Sequence, residues 1–344
     1  MTANTVRQST NPSVQFEVPL VGASPGSAGP ARCEIFRFRF SKHTEPATSS
    51  GALQVALEPA GLPTVEEIWL TDSEVREREE GALRLSESHE FQFASLQFDA
   101  ESTDTLRVQT EQAYRSLLAT AKDSGYPYPA RAWNYFPRIN EGEADEERYR
   151  QFSVGRAAAF AASGFNGNTF PAGTGIGTRS GHDAQIVLLS SNGAARFVEN
   201  TRQTSAYEYP REHGPVGPTF ARASLIGPAA DRQLLVSGTA SIVGSKSLHH
   251  NDVAQQLEET LTNINTITDL ALSTRDDAGP SSVATPLFRV YLRVDADREA
   301  IAKRIRREYG DDARVFFLQA DICRSELLIE IESVFWSSSS GTTP

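Results

Sequence analysis

The chain is poor in sulfur. Its 344 residues include two cysteines, Cys33 and Cys323, and one methionine. Two cysteines so far apart make no disulfide framework. No cysteine pair stands at zinc spacing, and His43, His89, His182, His213, His249 and His250 are dispersed, without HExxH. No GxSxG is present, which leaves a nucleophile-elbow hydrolase unsupported. The Gly-rich stretch 171–181, PAGTGIGTRSG, lacks the GK[ST] of a phosphate-cradling loop and does not match GxGxxG before a helix. Net positive charge is missing too: the formal value is -11. That argues against a nucleic-acid partner, which needs a basic face. No run of about 18 apolar residues exists, so no membrane-spanning helix is expected. The N-terminal MTANTVRQST has no apolar core and does not read as a secretory signal. A cytoplasmic protein with no metal and no membrane partner is expected.

Hydrophobic residues are 39% and charged residues 22%, ordinary globular composition. The length suggests two domains or three small ones. Residues 1–12 and Ser337–Pro344 read as frayed ends, and Gly22–Pro30 as a loop. Strands are predicted at 32–40, 52–58 and 65–70, with a half-buried strand in HEFQFASLQF within 82–99. Leu106, Val108, Ala113, Tyr114, Leu117 and Leu118 give a helix over 103–122. A strand at 129–136, a helix at 146–162 and strands at 171–177 and 184–190 follow. The last third repeats this order, with helices at 253–272 and 298–309. The sequence therefore predicts an α+β fold of mixed sheets, each covered on one face by two helices, with an internal duplication.

Glu199–Ala223, ENTRQTSAYEYPREHGPVGPTFARA, gathers Arg202, Arg211, Arg222, Tyr207 and Tyr209 on a turn-rich segment. Such a cluster in an acidic chain suits a small anion. Arg202 and Arg211, beside flexible turns, are weaker candidates than Arg222 on the following strand. In LLIEIESVFW, Glu330 and Glu332 share one strand face. On a central strand, burial and mutual repulsion would raise one carboxyl and make a general acid. On an edge strand, both would be solvated. Cys323, seven residues before Glu330, reads as a buried small hydrophobe or as a pocket wall, not as a nucleophilic thiolate. Tyr149 and Arg156 are seven apart and fall on one helical face, where Arg156 either faces a ligand or is solvated or ion-paired.

Taken in order, RAWNYFPRIN, YRQFSVGRAAAF, PAGTGIG, RQTSAYEYPREHGPVGPTFARA, SGTASIVG and the terminal IEIE resemble the chorismatases, over roughly residues 130–336. Those enzymes remove pyruvate from chorismate and supply starter acids for bacterial polyketides. The resemblance implies a fold similar to the reactive-intermediate deaminases, their trimer condensed into one pseudo-threefold chain. A reduced N-terminal domain (1–60), a central domain (61–197) and a C-terminal domain (198–344) would follow, with the active site between the last two. It implies Glu330 and Cys323 as catalytic residues. Tyr149, Arg156, Tyr207, Tyr209, Arg222, Arg293, Gly238 and Ala240 would bind substrate. Arg156 and Arg222 would be the main carboxylate clamps, with Arg293 third. No cofactor is implied, and a monomer suffices to complete the cleft. The 3-hydroxybenzoate-forming type is similar in having a cysteine seven residues before the catalytic glutamate. The implied function is therefore 3-hydroxybenzoate synthase. A hydrolytic chorismatase is the alternative, and a non-catalytic carboxylate-binding protein of the same fold the third reading.

Overall fold

The computed structural model describes residues 14–20, 32–42, 51–227, 232–273 and 284–336. The expected frayed ends and the 22–30 loop lie outside the described residues. The N-terminal strands are β1 (Val14–Pro19), β2 (Cys33–Ser41), β3 (Leu53–Val55), β4 (Glu58–Pro59) and β5 (Thr64–Thr71). Four of them form a sheet in the order β1-β5-β2-β3.

The next segment holds β6 (Arg76–Glu80), β7 (Leu83–Glu87), β8 (Phe91–Phe98), α1 (Thr103–Asp123) and β9 (Tyr128–Pro137). It continues through α2 (Arg148–Ala162), β10 (Ala172–Thr178) and β11 (Ala184–Ser191). The C-terminal segment has β12 (Arg196–Val198), β13 (Ala223–Ile226), β14 (Gln233–Ala240) and the small hairpin β15 (Ile242–Val243) and β16 (Lys246–Ser247). It closes with α3 (Val253–Ser273), β17 (Ala284–Leu292), α4 (Arg298–Tyr309), β18 (Arg314–Gln319), β19 (Asp321–Ile322) and β20 (Ile329–Trp336).

The duplication expected from the sequence is present in the topology. One sheet runs β10-β9-β11-β8-β7-β6 and another β18-β17-β20-β14-β13-β12. In both, the strand between the helices pairs parallel with the strand after the second helix and antiparallel with the last strand. Two short strands cross over: β19 adds to β10 of the central sheet, and β4 adds to β18 of the C-terminal sheet.

Helix faces explain the layers. Leu106, Ala113, Tyr114, Leu117 and Leu118 of α1 are buried at spacings of three and four. Val108 breaks that period and is 53% exposed, so it is not part of the apolar stripe. Leu257, Leu261, Ile264 and Ile267 of α3 cover the C-terminal sheet, with Leu270 packed beside them. The third core lies among the sheets, where Phe38, Trp69, Phe93, Trp133, Leu235 and Leu287 meet. Sheets covered on both faces carry no polar side. For that reason Phe91–Ser95 is buried at every position, not half-buried.

Candidate active site

β20 lies between β14 and β17, so both of its glutamates are buried. Their surroundings differ. Arg289 on β17 reaches Glu332 at 2.7 Å with one nitrogen and Glu67 on β5 at 2.7 Å with another. Arg131 on β9 also pairs with Glu332, and Trp133 Nε1 donates to it at 3.0 Å. Burial alone would raise the Glu332 carboxyl, but Arg289 and Arg131 hold it below the usual carboxylate value.

Glu330 is 4% exposed and makes no ion pair among the described residues. Burial first, and then the Glu332 carboxylate, push it up to about 8. The buried strand thus holds one carboxylate ionised and its neighbour protonated at neutral pH.

Space for the Glu330 carboxyl is made by an irregularity in β14. Its register against β20 shifts between Val236 and Thr239. Gly238 sits in the shift, and its N–H donates to Thr174 Oγ1 at 3.0 Å. A Cβ at Gly238 would lie 2.0 Å from Glu330 Oε1. Gly238→Ala is therefore expected to keep the fold, because the clashing atom ends a side chain, but to displace the carboxyl. A misplacement of about 1 Å costs on the order of 10²-fold in rate. Steady-state kcat beside an unchanged circular-dichroism spectrum checks this.

Glu330 opens onto a cavity of about 240 Å³ between α2 of the central segment and the C-terminal strands. Tyr149, Tyr209, Arg222, Gly238, Ala240 and Cys323, all expected at a site, line it with Glu330. Cys323 Sγ is 4.0 Å from Glu330 Oε2. Burial, and next the Glu330 carboxylate, push its thiol well above the ordinary range, so it stays a neutral donor. Burial likewise raises the Tyr149 phenol, with Cys323 adding to the effect.

Arg222 is 4% exposed and forms no ion pair among the described residues. Its Nη2 donates to Thr204 O at 2.8 Å and to Tyr209 Oη at 2.9 Å, while Nε is buried without a partner. The Glu199 carboxylate lies near enough to feel its charge without forming an ion pair, and a buried guanidinium so placed on a cavity wall is a ready anion site.

Three expected ligands stand elsewhere. Arg293 is no cleft residue: it donates to Leu327 O (3.0 Å), Asn140 Oδ1 (2.9 Å) and Ile322 O (2.8 Å), and pairs with Asp321. It clasps the loop that carries Cys323. Tyr207 turns its ring onto Gly167 and Phe170. Arg156 is buried with Nε and Nη2 unpartnered, its guanidinium 5.4 Å from the Phe152 ring. Seven residues along α2 set it about 10 Å from Tyr149 along the helix axis, and it is not among the lining residues. The doubt about Arg202 and Arg211 agrees with their ion pairs to Glu259 and Asp145.

Arg150, His213 and Arg324 also line the cavity and were not singled out from the sequence. The Arg324 guanidinium is 5.2 Å from the Tyr209 ring centre, and His213 is 5.3 Å from the same ring. Adjacency to Tyr149 and Cys323 was the one signal for Arg150 and Arg324. Glu147 and Glu326 offset part of this charge, Glu147 by accepting from Arg150 Nε at 3.0 Å.

The arrangement can hold a small dianion and deliver a proton from Glu330. Comparisons with known proteins give the family. A family described as "Chorismatase FkbO/Hyg5-like, N-terminal" matches residues 67–190. A 3-hydroxybenzoate synthase from Streptomyces hygroscopicus is 36% identical over 286 residues, 79% of this chain and 82% of that one. A chorismatase from the same organism is 35% identical over 228 residues, 65% of this chain and 66% of its own length. A chorismatase crystal structure superposes with a TM-score of 0.76 and 28% identity, covering 91% of this chain and 95% of the other. Sequence, fold and cleft point the same way, and the chain belongs to the chorismatase family.

Proposed function

We propose that the chain converts chorismate to 3-hydroxybenzoate and pyruvate. The observation that carries this reading is the Glu330 carboxyl, buried without an ion pair among the described residues at the floor of a cleft whose wall includes Arg222. Chorismate presents two carboxylates, a ring hydroxyl and an enol ether. Arg222 takes one carboxylate, and Arg150 and Arg324 supply positive charge for the other.

The enol-ether methylene is a weakly basic carbon, so its proton must come from a positioned acid. Glu330 donates it and becomes a carboxylate, leaving a cationic oxygen–carbon centre. The ring hydroxyl then attacks the neighbouring carbon and returns its proton to the Glu330 carboxylate, while the carbon–oxygen bond to the enolpyruvyl group breaks and its electron pair completes the pyruvate carbonyl, leaving an arene oxide. Opening of that epoxide and loss of a ring proton give the phenol. Chorismate is an isomer of the two products together, so no water is consumed. Cys323, a neutral thiol against Glu330, occupies space that a nucleophilic water would need.

The hydrolytic alternative consumes one water and gives a dihydroxycyclohexadienoate with pyruvate. Turnover in ¹⁸O-water separates the two. The expected product is 3-hydroxybenzoate without solvent oxygen. Label in the ring product, or a diene diol in its place, overturns the intramolecular route. We further propose a cytoplasmic monomer whose product serves as a starter acid for polyketide assembly. In support, one chain completes the cleft, and among the described residues no helix is long and apolar enough to cross a membrane.

A further inference from the structure

Register aligns the two duplicated sheets residue by residue. Glu330 pairs with Tyr291 on one side and Ala240 on the other. Gln185 pairs with Tyr135 on one side and Gln97 on the other. Four residues on, at Leu189 opposite Arg131 and at Val334 opposite Leu287, both pairings become irregular, so Gln185 holds in the central sheet the position that Glu330 holds in the C-terminal sheet. Three residues on, Leu188 faces Ala94 as Ser333 faces Val236. Ala94 in turn faces Leu85, and Val236 faces Ala223. Arg84, one residue before Leu85, is thus the counterpart of Arg222, one residue before Ala223.

These counterparts meet at a cavity of their own. Arg84, Gln97, Gln185, Thr178, His182 and Asp183 line a space of about 320 Å³ where β3 of the N-terminal sheet approaches the central sheet. Gln185 is buried and donates through Nε2 to Gln54 O at 2.8 Å. Thr178 Oγ1 is buried without a hydrogen-bond partner, which leaves one polar group for a ligand to satisfy. Arg84 is 57% exposed and meets Glu79 at 3.5 Å, a weak surface contact it can leave. Ala52 and Ala56 add an apolar wall.

We infer that this second cleft is a non-catalytic site for a small aromatic carboxylate. Arg84 would hold the carboxylate, and the Thr178 hydroxyl and the Gln185 amide would meet a ring hydroxyl. An amide can donate and accept hydrogen bonds but cannot protonate carbon, so the position that Glu330 holds in the first cleft carries no acid here; Asp183 and His182 stand elsewhere on the wall. The aromatic character of the ligand rests on the proposed reaction; the position of the site rests on the register, the cavity and the unpartnered Thr178 hydroxyl.

Calorimetric titration of the full chain with 3-hydroxybenzoate tests this. Two equivalents are expected for the wild type. One equivalent is expected to be lost in Arg222→Ala, and the other in Arg84→Ala and in Gln185→Leu. The proposal is overturned if the wild type binds one equivalent or none, or if the Arg84 and Gln185 variants both retain two. If instead Arg222→Ala retains two while Arg84→Ala binds one, the second cleft stands and the reading of the first one fails.

Discussion

Glu330→Gln is expected to lower kcat by about 10²–10⁴-fold, the range for removing a positioned general acid. The amide keeps the size of the side chain and its place against Gly238 but has no acidic proton. The wild type should also lose activity as pH rises through about 8, where the Glu330 carboxyl ionises. The residual activity of the Gln variant should lack that limb. Stability has a linked sign. The folded chain keeps a proton on Glu330 that the unfolded chain has released above about pH 4.3. This contribution to stability is complete below that pH and is lost as pH rises through about 8. The Gln variant should therefore gain on the wild type in Tm across that window. A pH–rate profile without a basic limb in the wild type would remove Glu330 as the acid.

Arg289→Met is expected to destabilise the chain by about 3–5 kcal/mol, as for other buried pairs that lose one partner. Its guanidinium neutralises Glu67 from the N-terminal sheet and Glu332 from the C-terminal sheet. It also donates to Tyr135 Oη of the central sheet at 2.6 Å. Removing it leaves two buried carboxylates with reduced compensation. Arg115→Ala is the control. Arg115 pairs with Glu111 one turn away on the α1 surface, where loss costs about 0.3–0.5 kcal/mol. Urea unfolding of both variants measures the difference. Similar midpoints for the two would show that the three sheets do not depend on this cation.

Much of this was legible in the sequence because the period of a helix or strand is local. The limits of α4 match the sequence reading, since Asp297 caps its start through the Ala300 N–H and Gly310 ends it at φ 96°. The repeated order of elements was visible for the same reason. What makes Glu330 and Glu332 different was not. They stand two apart on one strand, and the cations that separate them come from β9 and β17, far away in the chain. Arg293 was ranked below Arg222, but its role as the clasp of a loop was not visible, because engagement of a guanidinium depends on carbonyls brought near only by folding. Val108 read as apolar stripe because composition was visible and helix phase was misjudged.

The two crossing strands, β4 and β19, limit how the chain can be divided. Asp321–Ile322 closes the β10 edge at Ile176 and Gly177, and Glu58–Pro59 closes the β18 edge at Leu318 and Gln319. A fragment cut between the duplicated halves would bare backbone donors and acceptors on an outer strand. Such edges recruit other chains and promote aggregation. The halves share a topology, yet the central sheet is bordered by a strand of the C-terminal segment and the C-terminal sheet by a strand of the N-terminal one. Shuffling them as separate modules would need those borders rebuilt.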